Sequence, residues 1–220
     1  MAAKVMIVED HPLFSKGLSS LIASREGYAV VGEAADSAEA LRLAGAEEPD
    51  LAILDLNLGD EDGLDLLKEM RKRFPKIAVL VLSMHDERYY AERVLNAGGR
   101  GYIMKTEAGN KVVEAIRTVL TGKTYFSEAE QERLSGSAGG EEGSFAPVDK
   151  LSDRQFQIFS LLGKGLGTVE IAAKLKLSAK TIDTHKEHIK DKLHCNTAQE
   201  LKQLAIAWAN GPADRLIRGG

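Results

Sequence analysis

The chain is predicted to fold as two domains of different class: an α/β domain on an open, parallel, doubly wound sheet of five strands, then an all-α domain of four short helices. Three observations predict this. Five short, nearly continuous apolar runs alternate with amphipathic stretches over residues 1–127. A stretch rich in Gly, Ser and Glu, with no apolar period, then interrupts the chain. Beyond it only helical periodicity returns. A length of 220 residues suffices for two separate cores.

The strand candidates are "KVMIV", "YAVVGEA", "LAILDL", "IAVLVLS" and "RGYIMK". Runs this continuous in apolar residues suit strands buried on both faces, with the intervening helices as cover. In such sheets functional residues collect at the carboxyl ends of the strands, where the strand order reverses. The interrupting stretch, "SEAEQERLSGSAGGEEGSFAPVDK", carries Gly136, Gly139, Gly140 and Gly143 and reads as a flexible, charged linker over residues 128–149. Residues 150–220 then supply four helices. "LSDRQFQIFSLLGKG" opens on a capping box of Ser152 and Gln155 and closes at glycine. "TVEIAAKLKL" starts from Thr168, "SAKTIDTHKEHIKDKL" from Ser178, and "NTAQELKQLAIAWAN" from Asn196 with Gln199 at the capping-box position.

Composition is globular, 44% hydrophobic and 28% charged. No apolar run approaches the roughly 18 residues of a membrane span, so no membrane partner is expected. The opening "MAAKVMIVEDHPLF" has an acidic pair where a signal peptide would be cleaved, and is expected to be the first strand of a cytoplasmic protein. The single cysteine, Cys195, excludes a disulfide framework and any multi-cysteine metal site, and reads as a core filler at a helix end. The net charge of −4 is uneven: residues 148–220 hold 12 Lys and Arg against 8 Asp and Glu, and the rest of the chain is acidic. A mildly basic C-terminal part suits nucleic acid but does not prove it.

At the carboxyl ends of the strands stand Glu9 and Asp10, Asp55, Ser83 and Lys105. Three carboxylates at close quarters repel one another unless a cation sits among them. Oxygen-only ligands at an open site favour Mg²⁺. A carboxylate nucleophile, a metal, an ammonium and a hydroxyl are the parts of phosphoryl transfer to aspartate. Taken singly, an aspartate after a strand is as often a turn cap and a lysine is usually solvated; convergence favours function.

These residues resemble the response regulators of two-component signalling, in particular the LuxR-type (NarL/FixJ) subfamily, over nearly the whole chain. The likeness rests on "VEDHP", "ILDLNLGDEDGLDLL" with Gly63, "VLSMH" and "GYIMKTE" in the first domain, and on "EIAAKLKLSAKTI" in the second. It implies a flavodoxin-like, CheY-like receiver and a helix-turn-helix domain. It further implies that Asp55 is the phosphoacceptor, that Glu9, Asp10 and the backbone carbonyl of Asn57 join Asp55 in holding Mg²⁺, that Ser83 and Lys105 bind the phosphoryl group, and that Tyr102 is the switch aromatic. Two positions depart from the pattern. Gly59 stands where proline is common, which should loosen that loop, and Thr106 follows Lys105 where proline is frequent, so a cis bond is not expected there.

The family uses the third helix of its second domain to enter the major groove. In "SAKTIDTHKEHIKDKL", Ile182, Ile189 and Leu193 form an apolar stripe, opposite Lys180, Thr184, Glu187 and Asp191, with Asp183 and His188 on the flanks. His185, beside the stripe, reads as a packed, hydrogen-bonded histidine. Asp183 and Glu187 stand where several relatives have lysine, and Val169 replaces another. Non-specific affinity should be correspondingly lower, while Asp or Glu can still accept from the cytosine amino group. Alternatively Asp183 only stabilises the first helical turn through the dipole, and Glu187 pairs with Lys190 or Asp191 with Lys186 or Lys192. Phosphate contacts are assigned to Lys164, Thr168, Lys180, Thr181 and Lys190. Leu201, Leu204, Ala205 and Trp208 make a stripe on the fourth helix, which the family uses for dimer contacts.

The chain is therefore expected to be a transcription regulator, not an enzyme, switched by a phosphoryl group from a sensor histidine kinase. It should bind double-stranded DNA as a homodimer, with RNA polymerase as a candidate further partner. The alternative is a phospho-dependent protein-interaction module that has lost sequence-specific DNA binding. A haloacid-dehalogenase-like phosphatase would need a second aspartate two residues after the nucleophile, where this chain has Asn57.

Overall fold

The computed structural model describes residues 2–59, 61–85, 87–136, 148 and 151–210. They fall into two compact units, residues 1–140 and 141–220. The first unit contains, in order, β1 (Ala3–Val8), α1 (Pro12–Ala23), β2 (Tyr28–Ala34), α2 (Ser37–Glu47), β3 (Leu51–Leu54), β4 (Asn57–Leu58), β5 (Glu61–Asp62), α3 (Gly63–Arg73), β6 (Ala78–Ser83), α4 (Glu87–Asn96), β7 (Gly101–Met104), a 3₁₀ turn (Lys105–Glu107), α5 (Ala108–Leu120) and α6 (Glu128–Gly136).

The five predicted strands form one sheet in the order β2-β1-β3-β6-β7, and every neighbouring pair is parallel. The order reverses between β1 and β3, which opens a crevice at their carboxyl edge. Alternate strand residues face opposite sides. Val5, Ile7, Leu51, Ile53, Leu80, Leu82 and Ile103 cluster with Leu18 and Ile22 of α1 and with Val112, Ile116 and Val119 of α5. Met6, Val8, Ala52, Leu54, Val79 and Val81, of the other parity, are equally buried, as are Leu67, Met70, Tyr90 and Val94 on α3 and α4. Burial on both faces is why β1, β3, β6 and β7 read as unbroken apolar runs, whereas β2, at the sheet edge, buries only Ala34.

Two features differ from expectation. The loop after β3 is ordered as a small antiparallel hairpin, β4 with β5. And the first part of the expected linker is a helix, α6. Its sequence lacks apolar periodicity because polar contacts hold it. The Ser127 N–H donates to Glu87 Oε1 at 2.9 Å, and Gln131 Nε2 donates to the Phe126 carbonyl at 2.6 Å. Arg133 bridges Glu130 Oε2 at 2.8 Å and Glu92 Oε2 of α4 at 3.0 Å. Residues 137–147, 149 and 150 lie outside the described residues.

The second unit has α7 (Asp153–Gly163), α8 (Thr168–Leu175), α9 (Ala179–Leu193) and α10 (Ala198–Asn210). The Ser152 and Gln155 capping box is present, and Ser178 Oγ caps α9 by accepting the Thr181 N–H at 3.0 Å. At α8 the capping residue is Gly167, whose N–H donates to Glu170 Oε2 at 2.7 Å. The start of α10 is one residue later than expected. Thr197 Oγ1 accepts the Glu200 N–H at 3.1 Å and Glu200 accepts the Asn196 N–H at 2.7 Å, so Thr197 and Glu200 form the box in place of Asn196 and Gln199. Ile171, Leu175, Ile182, Ile189, Leu193, Leu201 and Ala205 are buried, and Trp208 meets Phe156 edge-on at 5.3 Å. A Cβ on Gly163 would lie 2.5 Å from the Ala205 carbonyl oxygen, so only glycine lets α7 approach α10 this closely.

Candidate functional site

Glu9 and Asp10 follow β1, Asp55 follows β3, Ser83 ends β6 and Lys105 follows β7, so parallel strand order brings all five to one edge of the sheet. Asp55 is 2% exposed. Its Oδ2 accepts from Lys105 Nζ at 2.7 Å, while its buried Oδ1 accepts no hydrogen bond among the described residues. Lys105 also reaches Glu9 Oε2 at 2.5 Å and lies over the Phe14 ring, 4.6 Å from its centroid. With its side chain 6% exposed, this lysine is not a solvated one. Burial pushes the Asp55 carboxyl up to about 6, against the pull of the Lys105 ammonium and with some help from the charge on Glu9.

Histidine 11 was not singled out from the sequence, although it stands inside "VEDHP". His11 Nδ1 lies 2.9 Å from Glu9 Oε1 and 2.6 Å from Asp10 Oδ1. Glu9, Asp10, His11 and Asp55 offer ligand atoms that all lie within 4.8 Å of one another. Three carboxylates and an open buried oxygen on Asp55 fit a hard divalent cation such as Mg²⁺. Gly59 gives its loop a contact and a conformation that proline would not. It occupies the left-handed region at φ +59° and its N–H donates to Asp10 Oδ2 at 3.0 Å, neither of which proline permits. A Cβ on Gly63 would fall 2.4 Å from the Asp55 carbonyl oxygen, which explains a glycine at the start of α3. No peptide bond among the described residues is cis.

Ser83 is buried, and its Oγ accepts the His85 N–H at 3.3 Å. Tyr102 is buried too, its hydroxyl donating to the His85 carbonyl at 2.9 Å. The His85 ring lies 3.1 Å from Asn57 Nδ2 and stacks on Tyr90 at 4.8 Å. His85 thus ties the Asp55 loop to the Ser83 loop. The only signal for it in the sequence is its place two residues after Ser83.

In the second unit, Lys164, Lys180, Asp183, Thr184, Glu187 and His188 are exposed, and Thr168, Thr181 and Lys190 are half-buried. The Thr181 hydroxyl shares a 2.7 Å hydrogen bond with Ser178 at the helix cap. Lys190 pairs with Glu187 at 2.8 Å. Lys186 pairs with Asp183 at 3.5 Å, not with Asp191. His185 is packed, but its buried Nδ1 has no hydrogen-bond partner among the described residues, which corrects the expectation of a satisfied histidine. Burial lowers its pKa, and the positive charges of Arg154 and His188 lower it further. Cys195 is a free, half-buried thiol.

An acidic pocket with a lysine and a hydroxyl at the switch point of a parallel sheet, joined to a helical unit in which α8 and α9 meet across a three-residue turn, defines a receiver linked to a helix-turn-helix effector. Residues 5–117 match the model of the response regulator receiver domain, and residues 149–205 that of bacterial regulatory proteins of the luxR family. The chain belongs to the LuxR-type (NarL/FixJ) response regulators. It is 34% identical over 209 residues to the oxygen regulatory protein NreC of Staphylococcus carnosus, covering 92% of this chain and 96% of that protein. With NreC of Staphylococcus epidermidis strain RP62A it shares 35% over 210 residues, with the same coverage. RcsB of Salmonella enterica serovar Typhimurium, solved bound to promoter rprA with the phosphomimetic BeF₃⁻, superposes with TM-score 0.60 at 26% identity, covering 92% of this chain and 98% of that one. A LuxR-family response regulator from Aurantimonas sp. SI85-9A1 gives TM-score 0.58 at 32% identity over 64% of this chain and all of its own. No helix among the described residues is long and apolar enough to cross a membrane.

Proposed function

We propose that this regulator takes a phosphoryl group on Asp55 from a sensor histidine kinase and answers by binding double-stranded DNA as a homodimer in the cytoplasm. The observation that carries the assignment is the state of Asp55: a buried carboxylate with one oxygen on Lys105 and the other open, beside Glu9 and Asp10. Attack by a carboxylate oxygen on the phosphohistidine phosphorus forms the P–O bond as the P–N bond breaks, and the leaving imidazole nitrogen takes a proton from solvent. Glu9, Asp10, Asp55 and the Asn57 carbonyl would hold Mg²⁺, which when bound neutralises charge on the phosphoryl oxygens. Lys105 exchanges its carboxylate partner for a phosphoryl oxygen, and the Ser83 hydroxyl donates to another. Drawing Ser83 inward disturbs its bond from the His85 N–H, and through the His85 carbonyl it disturbs the anchor of Tyr102.

DNA binding is assigned to α9 and its surroundings: Lys164, Thr168, Lys180, Thr181 and Lys190 toward phosphates, and Asp183, Thr184, Glu187 and His188 toward the groove. The luxR-family match over residues 149–205 and the promoter complex of RcsB favour DNA over the interaction-module alternative. RNA polymerase would be met at the promoter. Incubation with a small-molecule phosphodonor and Mg²⁺ is expected to give one acid-labile phosphate per chain and none on Asp55→Asn. Undiminished labelling of that variant would refute the assignment.

A further inference from the structure

Two exposed carboxylates on the recognition helix α9 are held in different ways. Asp183 Oδ1 accepts from the Thr168 hydroxyl, the first residue of α8, at 3.3 Å. Lys186 Nζ lies 3.5 Å from the same oxygen and donates to Thr168 Oγ1 at 3.0 Å. Thr168, Asp183 and Lys186 thus close a polar clasp between the start of α8 and the first turns of α9. Glu187, one turn further on, belongs to no such clasp. Among the described residues its polar partner is Lys190 of its own helix, which takes Oε2 at 2.8 Å; the two carboxylate side chains are similarly exposed, 61% for Asp183 and 64% for Glu187, so it is the cross-helix contact that separates them.

We propose that the two carboxylates divide DNA recognition between them: Asp183 is a positioning residue that sets α8 against α9, and Glu187 determines specificity by accepting a hydrogen bond from a cytosine amino group in the major groove. This rests on the DNA-binding function assigned above. A carboxylate only accepts. In the major groove cytosine presents an amino donor, adenine a donor next to an acceptor, and guanine and thymine direct acceptors at the reader. An acceptor-only side chain therefore selects cytosine, tolerates adenine and is repelled by guanine and thymine. Lys190 fits this role. It fixes one oxygen, leaves Oε1 without a hydrogen bond among the described residues, and offsets the carboxylate charge beside the phosphates, as electrostatic approach to a polyanion requires. Asp183 has a shorter side chain whose Oδ1 is already occupied across the helix pair, so its substitution should change affinity for all sequences alike and not the base preference.

The test uses full-length protein phosphorylated with acetyl phosphate, selection from randomised duplex DNA, and equilibrium binding to the selected site. The wild-type site is expected to contain a cytosine whose replacement by guanine weakens binding roughly tenfold or more. In Glu187→Gln that position should shift toward adenine, whose amino group and ring nitrogen an amide satisfies together. Asp183→Asn and Asp183→Ala both remove the charge, but only asparagine can still accept from Thr168. Both should keep the wild-type consensus, with the asparagine variant several-fold tighter on all sequences alike. If Glu187→Gln selects the unchanged site, or Asp183→Asn selects a different one, the division is overturned. Failure of the wild-type protein to select any sequence would overturn the DNA-binding function with it.

Discussion

Replacing Asp55 with asparagine should stabilise the metal-free protein at neutral pH, and by an amount that depends on pH in one direction only. Burial raises the Asp55 carboxyl from 3.8 to about 6. Between these values the folded chain holds a proton that the unfolded chain has released, so stability falls as pH rises through the window and levels off above it. The whole shift corresponds to roughly 3 kcal/mol. Between about pH 5 and pH 7.5 the folded pKa lies one unit above the lower limit, so the wild type should lose about 1 kcal/mol that the asparagine variant does not. Urea denaturation in chelator checks this, because the difference between the two proteins cancels the other titrating groups. All five tyrosines lie in the first unit and the single tryptophan, Trp208, in the second. Tyrosine near-UV circular dichroism therefore reports the unit that contains Asp55. A gap between variant and wild type that stays constant, or widens toward acid, would refute a raised Asp55 pKa.

Millimolar Mg²⁺ should raise the tyrosine-detected midpoint of the wild type, about 2.7 kcal/mol at a hundredfold excess over Kd. Chelator should reverse the gain, and Asp10→Asn should largely abolish it. Gly63→Ala should cost about 3 kcal/mol or more in the same assay, because its Cβ would sit 2.4 Å and 2.6 Å from backbone atoms of Asp55 and Leu56 that cannot give way. Arg133→Ala leaves the buried Glu130 carboxylate without that cation, and faster amide hydrogen exchange confined to residues 128–136 is the expected signature, at a cost of about 1 kcal/mol. His185 has a lowered pKa, so the unfolded chain takes up its proton first. The tryptophan-detected transition should then lose stability as pH falls through 6.5, less so in His185→Phe.

Of the five strands, β1, β3, β6 and β7 were legible because their residues are buried on both faces, and a continuous apolar run such as "LAILDL" has few other uses; β2, at the sheet edge with only Ala34 buried, was legible by the β-branched and aliphatic residues of "YAVVGEA". The pocket was legible for a topological reason: once the strands are parallel, their carboxyl ends must share an edge, and Glu9, Asp10, Asp55, Ser83 and Lys105 needed no further information. His11 and His85 were not, since each acts through a side-chain distance that neither spacing nor periodicity encodes. The helix α6 escaped because Arg133, Glu130, Glu92 and Glu87 hold it with charges, whereas periodicity detects only apolar faces. At α10 the sequence offers two overlapping boxes, Asn196 with Gln199 and Thr197 with Glu200, and the second forms. At Gly59 the sequence did not signal a contact. A glycine in place of proline suggests looseness, yet here its N–H ties the loop to Asp10.

The most direct test of phosphorylation-controlled DNA binding is the affinity of the full-length protein for its selected DNA site, measured with and without acetyl phosphate and Mg²⁺, for wild type and Asp55→Asn side by side. The wild type should bind more tightly after phosphorylation, and Asp55→Asn should bind equally with and without the donor. An equal gain in the variant, or no gain in a wild-type protein shown to carry phosphate, would contradict control through Asp55.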